Sequence, residues 1–363
     1  MFGGFFEGKR ILVTGLTGAK GTWLGWYLLQ AGAAQIVGVD TATELEGTCF
    51  VASGLAGDER VQLHAVDVRD QGGLETLLRQ EDVSAALHLA AMAIVGECKQ
   101  SPMQTYSVNA LGTASFLEAV WKAPVERAVV VTTDKVYRDK NGQPWCETDP
   151  LVASGPYAVS KACADLISQD YYEMYLRTAG KRLAIARAGN VLVPGDHHEG
   201  RLFVDVAHAL AKGEPPVIMN PAYTRPYTFV GDTVSGYLAL LAQCHRDGVD
   251  GEAFNFGPRE TLGVSNGDIA TRMCQLWGSG VSWTRGQPRD EPFEHQSLDC
   301  AKAERLLGWK PAYSLEQSLV ALVSWYKAQA EGVDADDLRS LTVAIARQHY
   351  TAAREQGLPW AAV

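Results

Sequence analysis

An α/β fold is predicted, with a doubly wound parallel sheet and a smaller α/β lobe after it. Three observations predict it. Short β-branched runs alternate with amphipathic segments through the first half of the chain. The strand runs are apolar throughout, as in Ile11-Leu12-Val13 and Ala128-Val129-Val130-Val131, which fits strands covered on both faces. A glycine-rich turn joins the first strand to the first helix.

The elements follow in order. Strands are expected at 10–14, 35–39, 61–66, 85–89, 128–131 and 183–186. Helices are expected at about 19–29, 73–79, 103–120 and 157–175. This βαβαβ order implies a parallel sheet with right-handed crossovers. From about residue 190 the segments shorten, the loops lengthen, and Pro and Gly become more frequent. The expected division is a nucleotide-binding domain over 1–190, a substrate lobe over 191–330 with chain crossings between the two, and a helical tail over 331–363 lying on the surface.

Composition narrows the function classes. The 363 residues carry a net charge of −10, with 47% hydrophobic and 20% charged residues. That is ordinary for a globular protein and argues against a nucleic-acid partner, which would need clustered Lys and Arg. No apolar run is long enough for a transmembrane helix, and Met1–Arg10 has no signal-peptide pattern. Seven scattered cysteines (49, 98, 146, 163, 244, 274 and 300) form no CxxC pair, so a reduced cytoplasmic chain is expected. No metal is expected. His197 and His198 stand together, but the sequence offers them no further partner at ligand spacing.

The glycine turn is Gly15-Leu16-Thr17-Gly18-Ala19-Lys20-Gly21. Between a strand and a helix, the first glycine permits a tight turn and the second lets backbone approach a diphosphate. The third allows close helix–strand packing. The diphosphate would then sit at the positive end of the helix dipole. This is the Rossmann arrangement. Asp40 closes the second strand 19 residues after Gly21. A carboxylate there accepts ribose hydroxyls and repels a 2′-phosphate, so the expected cofactor is NAD. Asp67 follows the third strand, where it would meet the adenine edge or cap a helix.

Two clusters carry chemistry. Tyr157-Ala-Val-Ser-Lys161 places a phenol and an ammonium one helical turn apart. The ammonium and the positive charge of the nicotinamide are expected to lower the tyrosine pKa and make it a base for a sugar hydroxyl. Thr133, Asp134 and Lys135 end the fifth strand, at the edge where ligands of such sheets gather. A hydroxyl, an acid and a base there can do more than oxidise. A loop ion pair between Asp134 and Lys135 is the bland alternative.

The glycine triplet, His88-Leu89-Ala90-Ala91, Asn109, Thr133-Asp134-Lys135 and Tyr157-x-x-x-Lys161 together resemble the extended short-chain dehydrogenase/reductase superfamily over roughly residues 8–325. Gly18-Ala-Lys-Gly-Thr-Trp-Leu24, Thr133-Asp-Lys-Val-Tyr137, Cys163-Ala-Asp165 and Arg187-Ala-Gly-Asn-Val191 are most similar to the CDP-glucose 4,6-dehydratases within it. The resemblance implies a resident NAD held by Gly15, Thr17, Gly18, Ala19, Lys20, Gly21, Asp40, Asp67, Val68, Leu89, Ala90 and Ala91, with Tyr157 and Lys161 beside it. It implies oxidation at C4 through Tyr157, Thr133 and Lys161. Lys135 is then the base at C5 and Asp134 the acid for the departing C6 hydroxyl. Asn190, Arg201 and Arg225 are the implied contacts to the nucleotide-sugar substrate, while Asp232 caps a helix.

Segments 92–100, 193–199 and 225–230 depart from that pattern, so the base (CDP, GDP, UDP or dTDP) and the sugar stay open. An epimerase shares the Tyr, Lys and NAD set but does not need Asp134-Lys135. A non-catalytic NAD-binding protein would not need the intact set. The resemblance also implies a homodimer through helices 103–120 and 157–175.

Overall fold

The computed structural model describes residues 1–41, 45–259, 263–288 and 295–362. In chain order it contains β1 (Arg10–Thr14), α1 (Ala19–Gln30), β2 (Gln35–Asp40), α2 (Cys49–Ala52), β3 (Val61–Ala65), α3 (Gln71–Gln80) and β4 (Ala85–His88). Then come α4 (Val95–Gln100), α5 (Pro102–Tyr106), α6 (Gly112–Lys122), β5 (Arg127–Thr133), α7 (Pro156–Tyr171) and β6 (Arg182–Ala188). The lobe begins with β7 (Asn190–Leu192), α8 (Leu202–Ala211), β8 (Val217–Ile218), β9 (Thr224–Arg225) and β10 (Tyr227–Phe229). It is followed by α9 (Val230–Gln243), β11 (Ala253–Phe256), β12 (Val264–Ser265), α10 (Asn266–Trp277) and β13 (Thr284–Arg285). The chain ends with α11 (Ala301–Leu307), α12 (Leu315–Ala330) and α13 (Ala335–Glu355).

Seven of these strands form one parallel sheet in the order β3-β2-β1-β4-β5-β6-β11. This is the Rossmann-type doubly wound sheet expected from the sequence. The order reverses between β1 and β4, and the crevice outside their carboxyl ends is where ligands bind in such sheets. β11 enters after the first lobe strands, so the chain leaves the sheet and returns to it. The strands bury both faces: Ile11, Leu12 and Val13 are fully buried, as are Ala128, Val129 and Val130.

Two features differ from the expected elements. The helix expected over 103–120 is broken by a π-helical segment, Ser107–Leu111, between α5 and α6. This extra-wide turn carries Asn109 into the core. The tail is not a surface appendage. His349 of α13 is fully buried, and Trp360 stacks on Phe2 at 5.6 Å, joining the two ends of the chain. Its last residue, Val363, lies outside the described residues. Among the described residues no helix is long and apolar enough to cross a membrane.

Candidate active site

The glycine turn is shaped as its spacing requires. Gly15 has φ +72°, and a Cβ there would sit 2.8 Å from the Ala90 nitrogen. A Cβ on Gly21 would run into the Gly15 carbonyl, so α1 packs on the turn only with glycine there. Gly18 is the N-cap of α1 and supplies no side-chain cap, which leaves first-turn N–H groups available to a ligand. Asp40 folds back on the turn: its Oδ2 accepts from the Thr17 nitrogen at 3.3 Å and from the Thr17 hydroxyl.

Leu89 and Ala90 donate from their backbone to the Thr14 hydroxyl, at 3.1 and 3.2 Å. The same hydroxyl meets His88 Nδ1 at 2.8 Å. His88 is fully buried and stacked on Phe116, and burial drives its pKa down to about 3. It is a neutral brace between β1, β4 and α6, where its Nε2 meets Thr113 at 3.2 Å. Ala91 follows on the partly exposed lip. Val68 packs against Gly112 of α6. Asp67 is taken up by Arg69 (2.9 Å), which holds its carboxyl below the usual range. The cap of α3 is Asp70 instead, accepting from the Gly73 nitrogen at 2.9 Å.

At the end of β5 the charged pair is compact. Asp134 Oδ1 accepts from the Thr133 hydroxyl at 3.0 Å and from Lys135 Nζ at 3.1 Å. Lys135 Nζ also donates to Asn190 Oδ1 at 3.2 Å. Thr133 and Asp134 are buried, and Asp134 Oδ2 has no partner. The sheet register explains the convergence: Thr133 pairs with Ala188 of β6, so Asn190 emerges at the same edge.

Tyr157 and Lys161 stand on α7. Burial pushes Tyr157 up to about 12, while hydrogen bonding to Thr133 and the charge of Arg201 pull it back in part. The sequence expectation was a tyrosine lowered by an ammonium and the nicotinamide charge together; in the chain alone, desolvation outweighs the cations. Lys161 donates to the Val131 carbonyl at 2.6 Å. Burial lowers its pKa to about 8, against the opposing charge of Asp165. Asn109, brought in by the π-helical segment, donates to Ser160 Oγ at 2.9 Å and so fixes α7 against α6.

Lys20 extends into the same place. Burial, then the charges of Arg201 and Lys161, lower its pKa to about 7. The sequence placed Lys20 in the glycine turn, but nothing in the spacing shows that its ammonium reaches the catalytic end. With Lys135 and Arg201 it makes a local cationic pocket in an acidic protein, which suits a diphosphate. Arg201 pairs with Asp196 at 2.6 Å. Arg225 makes its contacts within the lobe, donating to the Thr224 carbonyl at 2.9 Å and lying over the Tyr223 ring.

Two sequence readings change. Asp232 is not a helix cap. It is buried in the first turn of α9 and accepts from His349 Nε2 at 2.8 Å and from the Ala312 nitrogen. His197 and His198 do have a carboxylate neighbour, Asp196, with ligand atoms of all three within 4.8 Å. That carboxylate is already met by Arg201 and by His198 Nδ1 at 2.9 Å, so its charge is balanced without an ion.

Comparisons agree with this geometry. The family model described as GDP-mannose 4,6 dehydratase matches residues 12–321. A CDP-glucose 4,6-dehydratase from Salmonella typhimurium is 33% identical over 340 residues, covering 91% of this chain and 94% of its own. UDP-glucose 4-epimerase 4 from Oryza sativa subsp. japonica is 27% identical, covering 91% and 93%. The dTDP-glucose 4,6-dehydratase from Streptomyces venezuelae, solved with NAD bound, superposes with a TM-score of 0.76 at 27% identity over 89% of this chain and 98% of its own. The chain belongs to the GDP-mannose 4,6-dehydratase family.

Proposed function

We propose that the protein is an NAD-dependent 4,6-dehydratase of a nucleoside-diphosphate hexose, with CDP-glucose as the first substrate to test. The Asp134–Lys135 pair at the end of β5, with Asp134 buried and Lys135 half-buried, carries the reading. An epimerase needs only oxidation and re-reduction at C4, with no acid/base pair for an elimination.

The glycine cradle fits the cofactor. Gly15, Thr17, Gly18, Ala19, Lys20 and Gly21 would hold its diphosphate, Asp40 its ribose hydroxyls, and Asp67, Val68, Leu89, Ala90 and Ala91 its remaining edge. NAD, when bound, supplies a hydride acceptor for C4 and returns that hydride to C6. Tyr157, with Thr133 beside it, would take the C4 hydroxyl proton as its phenolate, a form that the positive charge of bound NAD would favour, and Lys161 braces α7 on β5. Asn190, Arg201 and Arg225 serve the substrate's phosphates and sugar, with Arg201 in the cationic pocket.

The resting Asp134–Lys135 ion pair has the wrong protonation for elimination. Passing one proton along its 3.1 Å bond gives an amine and a carboxylic acid with no change in total protons. Lys135 then removes the C5 proton and Asp134 protonates the departing C6 hydroxyl, which restores the ion pair.

The test is incubation of the holoprotein with CDP-, GDP-, UDP- and dTDP-hexoses, followed by mass spectrometry. Loss of one water from one of them is expected. An isomer of unchanged mass would identify an epimerase. No change with any of them would refute the substrate class.

The same reading includes a homodimer in a reducing cytoplasm. Met103, Leu111 and Leu166 are exposed along the α5–α6 and α7 segments, Met174 is exposed in the π-helical turn Tyr172–Leu176 after α7, and all seven cysteines are free thiols. Light scattering on the wild type should give twice the chain mass, and Leu166→Asp with Leu111→Glu should give the monomer.

A further inference from the structure

The geometry points to Tyr237 as a further substrate-contacting residue, whose hydroxyl and Asp134 Oδ2 together hold the C6 hydroxyl that leaves the sugar. This rests on the 4,6-dehydratase reading.

Tyr237 lies on α9 and is fully buried. Its ring stands edge-on to Phe256 at 5.8 Å, and the Lys20 ammonium lies 5.9 Å from its centroid. The ring is therefore fixed by packing. The oxygen is not explained by packing, because it is buried and has no hydrogen-bond partner. A buried hydroxyl in that state destabilises the fold, and phenylalanine would fill the same space without the loss.

The charges near the hydroxyl give the reason. Burial raises the Tyr237 pKa, and the charges that add to the effect are those of Tyr157 and Asp134. The oxygen thus lies within electrostatic range of Tyr157 and Asp134. Asp134 meets it with a matching vacancy in its bonding: Thr133 and Lys135 both use Oδ1, and Oδ2 is buried and unpartnered. Two buried polar atoms without a partner among the described residues, one from α9 and one from the end of β5, belong to side chains that lie within electrostatic range of each other. A ligand hydroxyl bonded to both would satisfy them.

The C4 hydroxyl belongs to Tyr157 and Thr133, so the hydroxyl left for Tyr237 and Asp134 is the one at C6. In the elimination, Lys135 takes the C5 proton and the C5–H electron pair becomes the C5–C6 double bond. The C6–O bond breaks, and its oxygen takes the Asp134 proton and departs as water. Tyr237 stays protonated throughout, donating a hydrogen bond to the oxygen while negative charge develops there.

The test uses the holoenzyme and the substrate that the wild type dehydrates. In Tyr237→Phe, oxidation at C4 continues and reduced nicotinamide builds up. Water loss slows by roughly 10–100-fold, and KM stays within about twofold. The thermal midpoint of the variant without substrate equals or exceeds that of the wild type. Unchanged turnover with no build-up of reduced cofactor would make Tyr237 a core residue and overturn the inference. So would an equal loss of oxidation and water release, which would put the hydroxyl at C4. A wild type that releases no water from any nucleoside-diphosphate hexose refutes the proposed function itself, a result read before the variant is made.

Discussion

His349 Nε2 lies 2.8 Å from Asp232 Oδ1, and the other ring nitrogen of His349 lies 2.7 Å from the Tyr27 hydroxyl. The three residues come from α13, α9 and α1, and all are buried. Asp232 and Tyr237 share α9, five residues and about one and a half turns apart. The C-terminal helix therefore fixes the helix that borders the active site. Replacing His349 by leucine leaves a buried carboxylate and a buried phenol each short of a partner. Such losses cost about 1–3 kcal/mol apiece. His349→Leu should lower the unfolding free energy by roughly 2–4 kcal/mol in a urea titration, and Tyr27→Phe by about 1 kcal/mol. A His349→Leu protein as stable as the wild type would show that the network carries no net stabilisation.

Behind the catalytic residues, Arg187 of β6 holds Asp165 of α7 by two bonds of 2.8 and 2.7 Å. Neither side chain is more than 3% exposed. Thr132 Oγ1 also reaches Asp165, at 3.1 Å, so the pair ties α7 to β5 as well as β6. Removing one member of a buried pair strands the other charge. Arg187→Met should cost about 3–5 kcal/mol, whereas Arg187→Met with Asp165→Leu should recover part of it. A double-mutant cycle by chemical denaturation reads the difference.

Lys20 makes the fold's stability depend on pH. Its pKa is about 7 in the fold against an ordinary 10.5, because burial and then Arg201 and Lys161 disfavour the charge. Below about pH 7 both folded and unfolded chains hold the proton, and the full penalty applies. As pH rises towards 10.5 the folded chain releases it first, and the penalty fades. Lys20→Met should therefore stabilise the cofactor-free protein at pH 6 by roughly 2–4 kcal/mol and by little at pH 10. Denaturant titrations at several pH values check this. An equal gain at both ends of the range would mean that packing, not charge, sets the effect.

What the sequence could reveal follows the range of each interaction. The strands, the glycine turn and the Asp134–Lys135 pair depend on neighbours within a few residues, and they were legible. So was the parallel character of the sheet, because alternating strands and helices imply βαβ crossovers. The tail was not. His349 reads as a polar residue on an amphipathic helix, and its partners lie 322 and 117 residues away. The π-helical segment at Ser107–Leu111 changes one turn inside a good helical pattern, which periodicity does not register. Tyr237 sits in the apolar run Tyr-Leu-Ala-Leu-Leu, where a tyrosine reads as core. At Tyr157, spacing shows the nearby lysine but not the burial that opposes its charge.

The division of labour at the end of β5 predicts that the two halves of the reaction separate. Tyr157 acts at C4, so Tyr157→Phe should reduce kcat by about 10²–10⁴-fold, with no reduced cofactor forming. Asp134 and Lys135 act after that step. Lys135→Met removes the C5 base and also the Lys135–Asn190 bond of 3.2 Å. Asp134→Asn keeps an acceptor for the Thr133 hydroxyl but cannot supply a proton to the leaving oxygen. Both variants should still oxidise the sugar and should stall with reduced nicotinamide bound, water loss falling by about 10²–10⁴-fold. Single-turnover absorbance of the nicotinamide, read beside the product mass, distinguishes the steps. If Asp134→Asn and Tyr157→Phe stop at the same point, the pair serves oxidation, and the acid must come from another group.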